Sequence, residues 1–289
     1  MRSIADILKH AQEHGYSLPQ AILALDSEAS GVPVGEIRTR MASRAADMAR
    51  CVEEARANRQ PGKLVSCDGA ILRARIEQDP FCGPFVMRAC AIAVEVATYN
   101  AAMGRIVAAP TAGSSGIIPG LLFAWKELYG TADADKQLTE ALIVAGAFGE
   151  VVANRATLAG AEGGCQAECG AAAAMGAAAL VWLRGGSGEA AAAAMGLALI
   201  SILGLVCDPV GGLVECPCVK RNGALTALGA VSADMALAGV RPVIPVDEVI
   251  DAMGQVGKLL PPALRETSRA GLAASPTAKQ LVKEIFAKK

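Results

Sequence analysis

Apolar residues recur at helical spacing along most of this chain. Near its start Ile4, Ile7, Leu8 and Ala11 share one face, Ser3 stands at a cap position, Asp6 follows three residues on, and Gly15 lies just past the last periodic residue. These signals predict a short, well-punctuated helix. A second helical region spans about Val34 to Ala57 and is broken by Arg59-Gln60-Pro61-Gly62. Helical patterning returns over Phe85 to Met103 and over Leu121 to Leu128. From Leu138 to Leu183 alanine and glycine crowd the sequence, which predicts a compact inner layer of closely approaching helices, although each glycine costs helix stability. Asp247 precedes Val249, Ile250, Met253, Val256 and Leu260 at helical spacing, and Ser275-Pro276 opens a last helix with proline in its tolerated first turn.

Strand signals are thin. Ile106-Val107 and the Val240 to Val246 run are β-branched, but prolines at 110, 242 and 245 interrupt or bound them. No alternation of strands with helices suggests a parallel sheet, and neither a repeat nor a long linker divides the chain. The prediction is an all-α fold, a compact helical bundle over residues 1–289 as a single domain, with Ala/Gly-rich inner helices.

Composition narrows the class. Of the 289 residues, 53% are apolar and 19% charged, the balance of a globular protein rather than a disordered one. With 27 basic and 28 acidic side chains there is no basic footprint for nucleic acid. The first residues hold no apolar core of signal-peptide length. The uncharged stretch Ala190 to Val206, 17 residues of mostly Ala, Gly and Leu, is borderline for a bilayer span, and a helix buried by protein is the better expectation. No membrane partner is expected. Nine cysteines without a signal argue against a disulfide framework and for a reducing cytoplasm.

Three motifs carry candidate chemistry. The loop Ala109-Pro110-Thr111-Ala112-Gly113-Ser114-Ser115-Gly116 leads into an apolar helix start and offers backbone N–H groups, hydroxyls and a positive helix end to an anion such as a substrate carboxylate. An ordinary capped loop accounts for that motif equally well. The other two motifs are Gly164-Cys165-Gln166-Ala167-Glu168-Cys169-Gly170 and the segment from Gly204 to Asn222, which holds Cys207-Asp208-Pro209-Val210, Cys216 and Pro217-Cys218. Thiolates select zinc, copper(I) or iron–sulfur clusters. Cys165 and Cys169 make a passable zinc pair and Cys216 with Cys218 a poor one, whereas a cluster accepts widely spaced cysteines. Small buried residues in a tight interior remain the plain alternative.

Read together, these segments closely resemble the α chain of bacterial iron–sulfur-dependent L-serine dehydratases. The likeness runs from the Ala91 to Gly120 region to about Pro276. It is carried by Asn100-Ala101-Ala102-Met103-Gly104-Arg105-Ile106-Val107-Ala108-Ala109-Pro110-Thr111-Ala112-Gly113, Gly164-Cys165-Gln166-Ala167-Glu168, Cys207-Asp208-Pro209-Val210, and Pro217-Cys218 before Arg221-Asn222. The resemblance implies cluster-binding loops, with a [4Fe–4S] cluster on Cys165, Cys207 and Cys218. It assigns no ligand role to Cys169 or Cys216, which are expected as neighbours. Cys51, Cys67, Cys82 and Cys90 are expected to be buried or incidental.

The reaction it implies is loss of water from L-serine, then hydrolysis of the resulting imine to pyruvate and ammonia. Three protein thiolates on four irons leave one iron open to act as a Lewis acid on the departing hydroxyl. Single-chain members carry a further N-terminal domain and a cysteine-bearing tail. With no cysteine after 218, this chain resembles the α subunit of the two-chain type, which implies a separate β subunit and an oligomer. For the substrate carboxylate and amine the expected residues are Thr111, Gly113, Ser114, Ser115 and Gly116, with Asn222 second to them.

The general base stays open between the β chain, Lys63, Lys220 and water. His10 and His14, spaced with Glu13 as in a metalloprotease helix, read better as a solvated face. Arg221 is either an anion partner or half of an ion pair. Asp208 is expected to cap a turn, and Glu168 either to bond near the cluster or to solvate a helix start. Three rival functions remain: sulfide elimination from cysteine, pyridoxal-phosphate deamination, and a non-catalytic metal-holding partner chain.

Overall fold

The computed structural model describes residues 1–287. Among these the chain forms thirteen α-helices and no β-strand. The first six are α1 (Ile4–His14), α2 (Leu18–Ser30), α3 (Val34–Ala57), α4 (Gly69–Ile76), α5 (Gly83–Ala101) and α6 (Ile117–Tyr129). After them come α7 (Ala134–Arg155), α8 (Gly160–Gly163), α9 (Ala171–Leu183), α10 (Gly188–Ile200), α11 (Cys218–Leu237), α12 (Val246–Leu259) and α13 (Pro276–Phe286). The all-α expectation holds.

Local sequence explains the punctuation. Ser3 Oγ accepts from the Asp6 N–H at 2.9 Å, and Gly15 ends α1 at φ 65°, a left-handed conformation that glycine adopts without penalty. The sequence reading assigned no helix between Gly15 and Val34, where α2 forms. In the fold Pro19 occupies the first turn, where its missing N–H costs nothing, and the Ser17 N–H donates to Gln20 Oε1 at 2.8 Å. The stretch Val240 to Val246 forms no strand and instead leads into α12.

The Ala/Gly-rich segments do form the inner layer. Helix α9 packs against α6, α7, α10 and α11, and its residues from Ala171 to Val181 are buried all round. Helix α10 is buried almost as completely. The stretch Gln166–Leu183 has the length and apolarity to cross a membrane, and 83% of it lies inside the protein. One apolar cluster runs from Ile4 to Met253, so α1 and α12 share a core with the inner helices.

Close backbone approach sets up the loop between α5 and α6. A Cβ on Gly116 would stand 2.2 Å from the Ala93 carbonyl oxygen of α5, and one on Gly120 would stand 2.6 Å from that of Ala89. Only glycine lets α6 lie this close to α5. The 102–116 segment is thereby drawn over the start of α11.

Candidate functional site

Two loops and two helix starts bring the cysteines together. Cys165 follows α8 and opens a single π-helical turn, Gln166–Gly170, before α9 begins. Such turns bulge the backbone and are frequent at functional sites. Here the turn carries Cys169 against Cys165. Fully buried Gln166 clamps it: Nε2 donates to the Gly163 and Met253 carbonyls at 2.9 and 3.1 Å, and Oε1 accepts from the Gly204 N–H at 2.9 Å. The Gln166 N–H also donates to the Leu205 carbonyl, tying this turn to the segment that bears Cys207.

Cys207 is held from the far end of the chain. Its N–H donates to Leu264 O at 2.9 Å and its carbonyl accepts from the Glu266 N–H at 2.7 Å, around an isolated bridge between Cys207 and Arg265. Cys218 is the first residue of α11.

Cys207 Sγ lies 3.7 Å from Glu168 Oε2, and thiolate formation at Cys207 and at Cys218 is opposed by Glu168 and by charge at Cys165. The three thiols thus share a common region, with Arg221 beside Cys165 and Cys218. Burial pushes the Cys207 thiol far up, and pushes Cys218 up to about 12, with Cys165 and Glu168 adding to the rise. Cys165 goes the other way: the Cys169 thiol bonds it and Arg221 lies beside it, outweighing burial. That bond to Cys165 and then burial push Cys169 up. Burial pushes the Cys216 thiol up, with Asp208 and Glu215 adding to the rise and Arg221 opposing it.

The Thr111 to Gly116 loop faces this region. Thr111 Oγ1 donates to Glu168 Oε1 at 3.0 Å, and Cys207 Sγ lies 3.7 Å from Glu168 Oε2, so one carboxylate touches both the loop and a thiol. Burial raises the Glu168 carboxyl, with Glu266 adding to it and the Thr111 and Cys207 bonds opposing. Thr111 and Gly113 are partly exposed, whereas Ser114, Ser115, Gly116 and Asn222 are buried.

Ser115 Oγ donates to Ala112 O at 2.8 Å and Ser114 Oγ lies 3.1 Å from Thr111 Oγ1. Asn222 is committed on both sides: Oδ1 accepts from the Gly116 N–H at 2.9 Å, and Nδ2 donates to the Gly113 and Cys218 carbonyls at 2.7 and 2.9 Å. It latches the loop to α11, one turn beyond Cys218.

Sequence reasoning left Arg221, Asp208 and Glu168 ambiguous. Arg221 Nη2 donates to Asp208 Oδ1 at 2.9 Å and Nη1 to Val206 O at 2.8 Å. The one available signal was a set of charged residues inside cysteine motifs otherwise built from small and apolar ones. Lys220 pairs with Asp68 near the surface, and Lys63 Nζ stands 5.9 Å from the Phe286 ring centre. The His14 ring stacks on Tyr16, and the His10 ring is tilted against that of His14 with centroids 4.2 Å apart.

A cavity of about 630 Å³ lies behind the loop, against Met48, Cys51, Arg105, Ala109, Pro110 and Met175, and none of the three motif cysteines lines it. Among the described residues no three Cys, His, Asp or Glu side chains enclose a position for a single metal ion. The site combines soft thiol donors with a flanking guanidinium, and the chemistry of that donor set fits a thiolate-held group.

An all-α scaffold with a thiol-rich centre under a Gly/Ser/Thr loop defines the class. The family model for the serine dehydratase alpha chain matches residues 13–273, and the chain belongs to that family. It is 48% identical over 204 residues to the L-serine dehydratase alpha chain of Peptoniphilus asaccharolyticus, covering 71% of this chain and 69% of that one. It is 36% identical over 275 residues to the L-serine dehydratase of Streptomyces coelicolor and 38% identical over 282 residues to L-serine dehydratase 2 of Escherichia coli. These matches take in 93% and 94% of this chain, and 59% and 61% of those longer relatives.

Proposed function

We propose that the chain is the catalytic α subunit of an L-serine dehydratase, eliminating water from L-serine to give pyruvate and ammonia, with a [4Fe–4S] cluster held by Cys165, Cys207 and Cys218. The observation that carries this reading is the gathering of those three thiols, from separate segments, beneath the Thr111 to Gly116 loop. Relatives named as L-serine dehydratases support the substrate. When bound, a cluster with three protein ligands supplies an open iron with Lewis acidity toward a departing hydroxyl.

The chain's own residues do the rest. Thr111 and the Gly113 backbone present polar groups at the loop surface, where a carboxylate would be received. Ser114, Ser115 and Asn222 act from below by holding the loop's shape, with Gly116 at the close contact to α5. Glu168, raised by burial, holds the Thr111 hydroxyl in position toward the thiols. A separate β subunit and a cytoplasmic setting belong to the same proposal.

The test is anaerobic reconstitution with ferrous iron and sulfide, followed by pyruvate assays on serine, threonine and cysteine with and without a β chain. About four irons per chain and oxygen-sensitive pyruvate formation from serine are expected. Iron loading without turnover in either condition, or faster elimination from cysteine, would overturn the assignment.

A further inference from the structure

Arg221 stands one helical turn beyond Cys218 and acts on the three segments that bear Cys165, Cys207 and Cys218. Nη1 donates to the carbonyl just before Cys207, Nη2 to the carboxylate just after it, and its charge acts on both Cys165 and Cys218. The pair is sequestered: the Arg221 side chain is 18% exposed and that of Asp208 3%. Asp208 cannot swing away, because its Oδ2 accepts from the Leu272 N–H at 2.7 Å. The other charged side chains acting on Cys165, Cys169, Cys207 and Cys218 are the carboxylates Glu168 and Glu266. Among the described residues Arg221 is thus the cation whose charge acts on Cys165 and Cys218, in an environment that turns strongly anionic once thiolates form.

Resting on the cluster reading above, we propose that Arg221 is the positioning residue of this centre, fixing the three cysteine segments in register and supplying the countercharge for the group they hold. A buried ion pair alone earns little net stability, since desolvation offsets the attraction. What a guanidinium offers here is its planar fork, which satisfies the Val206 carbonyl and Asp208 together while leaving a charged face toward sulfur. Lysine, whose three donors share one nitrogen, does not reproduce that planar fork. Reduction adds an electron to an already anionic cluster, so a fixed neighbouring cation favours the reduced form, and its loss moves the potential to more negative values.

The experiment compares anaerobically reconstituted wild type, Arg221→Lys and Arg221→Gln as full-length chains. It reads iron per chain, the rate of iron release to bathophenanthroline, and the cluster midpoint potential by EPR-monitored redox titration. Circular dichroism and melting of the iron-free proteins check folding. Arg221→Gln is expected to release iron roughly 10–100-fold faster, the usual range for lost outer-sphere support, and to shift to a more negative midpoint. Arg221→Lys should keep nearly the wild-type midpoint yet still release iron faster, because charge survives and the fork does not.

Should Arg221→Gln fail to fold, the lysine variant's release rate decides alone. Wild-type release in Arg221→Lys, or wild-type release and potential in Arg221→Gln, overturns the inference. The cluster reading fails separately, and takes the inference with it, if wild type binds no iron or if Cys165→Ala, Cys207→Ala and Cys218→Ala each retain it.

Discussion

Thr111 joins the exposed side of the site to its buried side, donating to Glu168 while lying beside Ser114. Thr111→Ala removes a hydrogen bond to a carboxylate, and kcat/KM for serine should fall roughly tenfold, equivalent to about 1.4 kcal/mol. The melting temperature should stay near wild type, and Thr111→Ser should recover most of the loss. Unchanged kinetics for Thr111→Ala would take the loop out of catalysis. Asn222→Ala is a different kind of change, since it strips partners from two carbonyls and an N–H in the interior. A loss of about 2–4 kcal/mol in urea unfolding is expected, and Asn222→Asp should not restore it because a carboxylate cannot donate to those carbonyls.

Cys51 offers a control remote from the three motif cysteines. Burial pushes its thiol up to about 11, against a bond from the Val107 backbone. At pH 8 only about one molecule in a thousand carries the thiolate, so iodoacetamide mapping by mass spectrometry should find exposed Cys82 modified well before Cys51. At this scale the sequence spoke unevenly. The family resemblance pointed to Cys165, Cys207 and Cys218, but the roles of Arg221 and Asn222 depend on which face of α11 meets the 109–116 loop. Neighbours in sequence, they point to different partners, and no spacing rule reveals that.

Between elements, Glu127 of α6 ties α3 and α5 through Arg56 and Arg88, the latter at 2.8 Å. Burial alone would raise its carboxyl, but the bonds from Arg88 and Arg56 outweigh that and hold it below 4.5. A depressed folded-state pKa contributes stability above the ordinary carboxylate range and loses it as pH falls through the folded value. Glu127→Gln should therefore lower stability at neutral pH and flatten its decline in acid, as read from melting temperatures between pH 7 and pH 3. Equal acid sensitivity in both proteins would remove Glu127 from the linkage. Helices with apolar residues at helical spacing or clear breaks at their ends, such as α1, α3 and α12, were legible from sequence, although of these only α1 has a side-chain N-cap. The π-turn at Gln166–Gly170 was not, since its bulge comes from the tertiary clamp of Gln166 and no local propensity marks it.

At the scale of the molecule, one apolar cluster runs from Ile4 to Met253, with a smaller one of Val65, Val94, Ala97 and Val219. We propose one domain, and calorimetry of the iron-free chain should give a single transition whose van't Hoff and calorimetric enthalpies agree. Two resolved transitions would reject it. The all-α class followed from periodicity over many turns. The site did not, because it is assembled from segments far apart in sequence.

One such segment has a consequence for biosynthesis. Residues 264–272 grip Cys207 and Asp208 through backbone bonds, yet the ribosome makes them after every cysteine of the chain. A nascent chain that has just exposed Cys218 therefore has its sulfurs but not the strap that sets Cys207. On the proposed cluster reading, iron delivered at that stage would meet an unformed cradle, and maturation would belong after translation has passed this stretch.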